Sequence, residues 1–262
     1  MKGEKDMTKT AIFITVRMDS SRLPNKTMLP ILGTPVLEHV ISRAKQTTKF
    51  DEIVVCTTLR EVDDQVAGIA EKCGVSVYRG SLEDKLERWN GAARQYNVDY
   101  IVTFDGDDLF CDPYLLDKGA EQIRENKYDF IELPVGLICG AFTYAFTAKA
   151  LAKVCEIKAT DDTEMMWTYF KDTGLFKTGY LEDIEDVYFN DKYRLTLDYP
   201  EDFEFFTKVF EHFNCVNNDV PLKEIITYFK EHPEIPQINI GRQQEFLDNQ
   251  KKKTKLVLKC NE

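Results

Sequence analysis

The 262-residue chain has a formal net charge of -11, with 43% hydrophobic and 30% charged residues. This acidity argues against an extended nucleic-acid or anionic-membrane surface, which requires positive charge, and no apolar run approaches the roughly 18 residues of a membrane span. Seven cysteines, at 56, 73, 111, 139, 155, 215 and 260, stand singly without a CxxC pair; free thiols place the protein in a reducing cytoplasm, without a zinc site. The apolar run 11–16 is too short for a signal-peptide core.

The elements follow in chain order. Ala11 to Val16 is a short buried strand that ends at a polar loop. Thr34-Pro35 has the form of an N-cap with Pro at the first helical position, and Val36, Leu37, Val40, Ile41 and Ala44 recur at helical spacing. Ile53 to Thr57 is a second strand. Asp63 to Lys72 is a helix closed by Gly74, and Val75 to Tyr78 a third strand. Ser81 opens a helix to about Gln95, Tyr100 to Phe104 is a fourth strand, and Pro113 begins the next helix. This βαβα alternation predicts an α/β fold with a largely parallel sheet and helices on both faces. The second half is less regular. Strands are expected at Phe130–Leu133, Ala141–Phe146 and Tyr193–Leu197, and helices at Thr147–Ile157, Asp161–Lys171, Pro200–His212 and Leu222–Glu231. Residues 1–250 read as a single domain with an inserted substrate-facing or dimerising region, and 251–262 as a loose basic tail.

Three groups of residues could carry chemistry. The loop after the first strand holds Arg17, Ser20, Ser21, Arg22 and Lys26. Three cations and two hydroxyls past a strand end suit a polyphosphate, since Arg offers a planar fork and Lys a point charge, and such ligands sit at the carboxyl ends of strands in open α/β sheets. The plainer alternative is a solvated loop. Asp105-Gly106-Asp107 follows the fourth strand; its carboxylates could hold Mg²⁺ or Mn²⁺, or could form an ordinary turn. Asp198 ends the Tyr193–Leu197 segment and could ligate the same metal, or could cap the following helix. Arg79-Gly80-Ser81 could meet a base or ribose, or form a turn and cap. There is no Walker loop, no GxGxxG and no nucleophile motif beside a histidine, so P-loop, dinucleotide-binding and triad-hydrolase readings are disfavoured.

The stretch RMDSSRLPNK (Arg17–Lys26), followed by LGTPVLEHV, resembles the opening of the cytidylyltransferases that activate acidic sugars. The likeness is strongest to the spore-coat polysaccharide type and extends to the Kdo and acylneuraminate enzymes. It continues through VVCTTLREVDD, VYRGSLEDKLERW, the DGDD segment and RLTLDYPEDF, in the family's order. The resemblance implies a three-layer α/β/α sandwich of the nucleotide-diphosphosugar-transferase (Rossmann-like) fold. It implies transfer of CMP from CTP to a sugar acid or similar small anionic acceptor, with release of pyrophosphate, for cell-surface polysaccharide synthesis. Arg17, Lys26 and Asp107 would be catalytic. Arg17, Met18, Ser20, Ser21, Arg22 and Lys26 would hold the nucleotide, with Arg79, Gly80, Ser81 and Asp105 completing its site. Asp107 and Asp198 would bind the metal, Mg²⁺ or Mn²⁺. Residues of about 130–190 would face the acceptor and join a homodimer.

Departures fall in that acceptor region. Gly106-Asp107-Asp108-Leu109 replaces the family's Gly-Asp-Cys-Pro or Gly-Asp-Glu-Pro, Pro134–Gly140 lacks a glutamate common in the spore-coat type, and Asp161–Phe170 replaces an REHVT-like segment. A phosphonate or phosphorylated acceptor therefore stays open. So do a glycosyltransferase of related fold, whose Asp-x-Asp motif matches Asp105-Gly-Asp107, and a non-catalytic nucleotide-binding protein.

Overall fold

A computed structural model describes residues 8–259; Cys260 and the last two residues of the expected tail lie outside them. The chain runs β1 (Thr10–Thr15), a two-residue hairpin of β2 (Pro30–Ile31) and β3 (Thr34–Pro35), α1 (Val36–Ala44), β4 (Glu52–Thr58), α2 (Asp64–Lys72), β5 (Ser76–Gly80), α3 (Lys85–Tyr96), β6 (Tyr100–Asp105) and α4 (Pro113–Arg124). It continues through β7 (Phe130–Glu132), β8 (Tyr144–Thr147), α5 (Ala148–Ile157), α6 (Thr168–Lys171), β9 (Thr178–Tyr180), α7 (Pro200–Phe213), α8 (Leu222–Glu231), α9 (Glu234–Gln237) and α10 (Gln243–Lys253).

Seven strands form one sheet in the order β5-β4-β1-β6-β8-β7-β9. Only β8 runs against the rest, because it pairs antiparallel with both β6 and β7. The central strand β1 shows why the sheet is buried on both sides. Ile12 and Ile14 face one core, with α1, α2, α4, α7 and α8; Ala11 and Phe13 face the other, with α3, α5 and α6. Alternate side chains of a strand point to opposite faces, so an unbroken apolar run is what a strand between two helical layers requires. The three-layer α/β/α sandwich follows. Among the described residues no helix is long and apolar enough to cross a membrane.

Register places the two loops that matter. Thr15 pairs with Asp105, so the chain leaves β1 and β6 side by side at their carboxyl ends. Gly106 is required there: a Cβ would lie 2.8 Å from Val16 Cβ and 3.0 Å from the Thr15 carbonyl, while Gly106 N–H donates to that carbonyl. The glycine allows close approach of the chain to itself.

Several expectations shift. Pro35, not Thr34, precedes α1. Asp84, not Ser81, caps α3, accepting from Glu87 N–H at 3.1 Å. Tyr193–Leu197 is extended but is no sheet strand; β8 already occupies the edge of β6, and the segment makes a single bridge, Arg194 to Cys139. The Asp161–Lys171 helix shrinks to α6, because Thr163 is used elsewhere: its hydroxyl donates to Asp84 and accepts from Leu86 N–H. Lys251–Lys253 belong to α10, and Val257 and Lys259 hydrogen-bond to Ala159 and Ile157, so this part of the expected loose tail is folded against the body.

Candidate active site

A cavity of about 790 Å³ opens at the carboxyl ends of β1 and β6. The 17–26 loop forms one wall and Asp105–Asp108 another. The remaining walls come from residues of 133–144, Glu164–Trp167, Asp198 and α10.

The proximity of Asp198 to Asp107 has a specific cause. Leu197 N–H donates to the Asp107 carbonyl at 2.8 Å, docking the extended segment before α7 against the end of β6. Asp198 is then freed from capping, because Asp202 does that work: one Asp202 oxygen accepts from both Asp198 N–H (2.8 Å) and Tyr199 N–H (2.9 Å). Asp202 also pairs with Arg194 at 2.9 Å, and Arg194 reaches Asp198 at 3.2 Å. All three side chains are buried. A carboxylate that satisfies two backbone donors and a guanidinium is a rigid support.

On that support the Asp198 carboxylate meets Arg22 at 2.5 Å and Lys26 at 3.0 Å. Lys26 Nζ also lies 2.6 Å from Asp107 and donates to the Leu197 carbonyl at 2.8 Å. Burial works against the Lys26 ammonium, but Asp107 and Asp198 outweigh it and raise its pKa above the ordinary lysine value. Asp198 is held below the usual carboxylate range: burial opposes its charge, and Lys26, Arg22 and Arg194 overcome that penalty. Asp107 goes the other way. Burial, joined by repulsion from Asp198 and Asp105, outweighs Lys26 and raises its pKa. Cys139 is part of the wall, and burial pushes its thiol up to about 12.

One ammonium reaching two carboxylates shows that Asp107 and Asp198 converge on a point. Oxygen donors so placed fit a hard divalent cation. Among the described residues no group of three or more His, Cys, Asp or Glu could hold a metal, so the protein would supply two carboxylates and leave other positions to phosphate and water, the usual arrangement for Mg²⁺.

The structure brings together Arg17, Ser20, Ser21, Arg22, Lys26, Asp105, Asp107 and Asp198 as cavity-wall residues. It places the other four elsewhere. Met18 is packed into the core, its N–H donating to Asp63 at 2.7 Å. Arg79 turns to the far side of β5, binding the Thr58 and Arg60 carbonyls and Asp64. Gly80 closes β5, and its carbonyl accepts from Leu59. The Ser81 hydroxyl accepts from Asp84 N–H and its carbonyl from Arg88. Sequence reasoning missed Lys85, Arg88 and one face of α10, all on the wall; Glu164 and Trp167, also on it, belong to the Asp161–Phe170 segment expected near the acceptor. Lys85 and Arg88 stand in the SLEDKLERW segment directly after Ser81, where their charge was a usable signal.

Comparison with known proteins agrees with this geometry. The family profile described as cytidylyltransferase matches residues 11–251. An uncharacterised protein of Methanocaldococcus jannaschii is 32% identical over 88% of this chain and 95% of its own. The spore coat polysaccharide biosynthesis protein SpsF of Bacillus subtilis is 29% identical over 87% and 97%. A solved cytidylyltransferase from Leptospira borgpetersenii superposes with a TM-score of 0.78 at 32% identity, covering 88% of this chain and 97% of that one. With the family match spanning nearly the whole chain and the charged loop and acid pair sharing one cavity, this protein belongs to the cytidylyltransferase family and is a nucleotidyltransferase enzyme rather than a glycosyltransferase.

Proposed function

We propose that this chain transfers CMP from CTP to a sugar acid or similar small anionic acceptor, releasing pyrophosphate, in the synthesis of cell-surface polysaccharide. The observation that carries the reading is the meeting of Arg17, Arg22 and Lys26 with Asp107 and Asp198 around one cavity. The polysaccharide assignment is supported by the similarity to SpsF.

Arg17, Arg22 and Lys26 hold the phosphates of the leaving pyrophosphate. Asp107 and Asp198 would hold Mg²⁺ or Mn²⁺, which when bound neutralises phosphate charge and favours the ionised acceptor oxygen. Lys26, Arg22 and Arg194 keep Asp198 charged for that task. The acceptor oxygen attacks the α-phosphorus in line as pyrophosphate departs. The protein's work is positioning and charge neutralisation. Residues 130–190 contribute Leu133, Tyr144 and Trp167 to the wall, which supports their role as the acceptor side of a single domain. Val135, Leu175 and Tyr180 are exposed on this same segment, which supports a homodimer; light scattering on the eluting species tests it.

Calorimetric titration with CTP, UTP, GTP and ATP, each with and without Mg²⁺, tests the nucleotide assignment, with a UDP-sugar as control. Selective, metal-strengthened CTP binding is expected. Pyrophosphate release is then followed over sugar acids, phosphonates and phosphorylated small molecules. Stronger binding of the UDP-sugar than of CTP, or no pyrophosphate release with any acceptor class, would sink the reading.

A further inference from the structure

α10 leans one face over the cavity. Gln243, Phe246, Gln250 and Lys253 recur at three- and four-residue spacing and all belong to the wall. None of the helix's side chains is fully buried. Polar and cation–π contacts hold it: Arg194 donates to Gln243 at 3.1 Å and lies 4.5 Å from the Phe246 ring centre, and Asn249 donates to the Tyr199 hydroxyl at 3.4 Å. Beyond the helix, Lys259 N–H donates to the Ile157 carbonyl and the Val257 carbonyl accepts from Ala159 N–H. The last turn of α10 is thereby fixed near the segment that carries Glu164.

Glu164 sits between two cations from distant parts of the chain. One oxygen accepts from Arg17 Nη2 at 3.0 Å, and the other lies 3.5 Å from Lys253 Nζ. Its side chain is 39% exposed, so burial does not force this position. Arg17 is aimed by its other nitrogen, which donates to the Leu82 carbonyl at 3.1 Å. Two oxygens facing two cations reproduce the contacts a phosphate oxyanion would make. The charge balance points the same way. Arg22 and Lys26 are already offset by Asp107 and Asp198, and Lys85 by Asp105. Among the described residues, Arg17 and Lys253 have Glu164 as their only carboxylate partner, and that partner's side chain is partly open to solvent.

We propose that Arg17 and Lys253 form a phosphate subsite for the nucleotide, that Glu164 is the resident competitor displaced when phosphate enters, and that α10 is the wall that supplies the second cation. This rests on the nucleotidyltransferase reading and adds to it Lys253 as a binding residue and Glu164 as a group that weakens binding.

The test measures dissociation constants for inorganic pyrophosphate and for CTP with Mg²⁺ in the wild type, Glu164→Gln, Lys253→Gln and the double variant. An exposed ion pair of this kind is worth a few-fold in affinity, so Glu164→Gln should bind both probes about two- to fivefold more tightly. Lys253→Gln should weaken binding more in the Glu164→Gln background than in the wild type, where losing the phosphate contact is partly offset by loosening Glu164. Such non-additivity is the mark of a shared site. Equal or weaker pyrophosphate binding by Glu164→Gln overturns the proposal, and so does strict additivity. If Glu164 merely braced its loop, its replacement would lower affinity, which is the overturning result. Wild-type CTP binding separates the two readings: its absence counts against the CTP assignment, whereas the pyrophosphate titrations decide the subsite regardless of base.

Discussion

Replacing Lys26 with Met removes an ammonium that is only 12% exposed and that holds two carboxylates together. Deleting one partner of a buried ion pair costs about 3–5 kcal/mol, because the remaining charge is left unpaired. Here the loss is partly relieved. Asp198 keeps Arg22 at 2.5 Å and Arg194 at 3.2 Å, and Asp107, whose pKa is already raised, can take up a proton. A cost of about 2–3 kcal/mol is therefore expected, which for a domain of this size lowers the melting temperature by roughly 4–12 °C. The sign of the pH dependence follows from the raised pKa of Lys26. Its contribution is fully present below the unfolded lysine value of about 10.4 and is lost as pH rises through the higher folded value. The gap between wild type and variant should thus be level across neutral pH and close only in strong alkali. Turnover, followed as pyrophosphate release, should fall by about a hundredfold or more, the usual cost of one charge-stabilising contact. Thermal melts across pH beside that assay check both effects. A variant with wild-type melting and near-normal turnover would refute the assignment of Lys26 to the centre of this site.

The two acids beside it should part company. Asp107→Asn removes a carboxylate whose own charge opposes folding above its raised pKa, but also one of the two partners of buried Lys26; the two effects offset, so melting at neutral pH should change less than for Asp198→Asn while turnover collapses. Asp198→Asn removes a carboxylate with a depressed folded pKa, whose contribution is present above the unfolded value of about 3.9 and lost as pH falls through the folded one. Melting should drop at neutral pH, with the difference from wild type shrinking in acid; identical melts for the two variants would contradict these opposite shifts. Asp202→Asn touches no ligand yet breaks the support of Asp198, and should cost about 2–4 kcal/mol in urea unfolding because Arg194 is left buried without full charge compensation. Gly106→Ala forces a methyl to within 2.8 Å of Val16 Cβ; about 1–3 kcal/mol of overpacking and a loss of turnover through displaced Asp105 and Asp107 are expected, and unchanged kinetics would show that the turn has slack.

How much of this was legible depended on the range of the interaction. β1 and its basic loop were readable because the apolar run and the cluster of cations are both local. So was the order of elements through α4, where period and turn residues alternate cleanly. The meeting of Asp107 and Asp198 was not readable from spacing, since it depends on Leu197 N–H reaching across 90 positions to the Asp107 carbonyl. The alternation in Tyr193–Leu197 correctly marked an extended segment but could not reveal that β8 had taken the edge it would need. Arg79 and Ser81 sit in the stretch the resemblance assigned to the nucleoside, yet the path of the chain out of β5 turns the Arg79 side chain toward Asp64 and leaves Lys85 and Arg88 to face the cavity. α10 escaped notice because QQEFLDNQKKK has little apolar stripe to bury. Its one useful face is mostly polar and is defined by the cavity it covers.

Most charges of the site are paired with one another; among the described residues Arg88 and Asp108 on the same wall are not. Lys26 stands between Asp107 and Asp198, Arg22 lies on Asp198, Lys85 on Asp105, and Arg17 and Lys253 on Glu164. Such pairing lowers the cost of gathering these nine charges, five cations and four carboxylates, in a partly buried space, where an unpartnered ion is expensive. It also changes what binding means. A polyphosphate entering this cavity exchanges one set of ion pairs for another, so its affinity and salt sensitivity should be smaller than the number of cations on the wall implies. The two acids with the firmest hold on their partners are Asp202, anchored by two backbone donors and by Arg194, and Asp198, anchored by Arg194, Arg22 and Lys26. Glu164 has no such anchor and is the carboxylate most easily exchanged. On the proposed reading the rigid pairs set the geometry for nucleotidyl transfer, and the loosely held Glu164 sets how tightly the phosphates are bound.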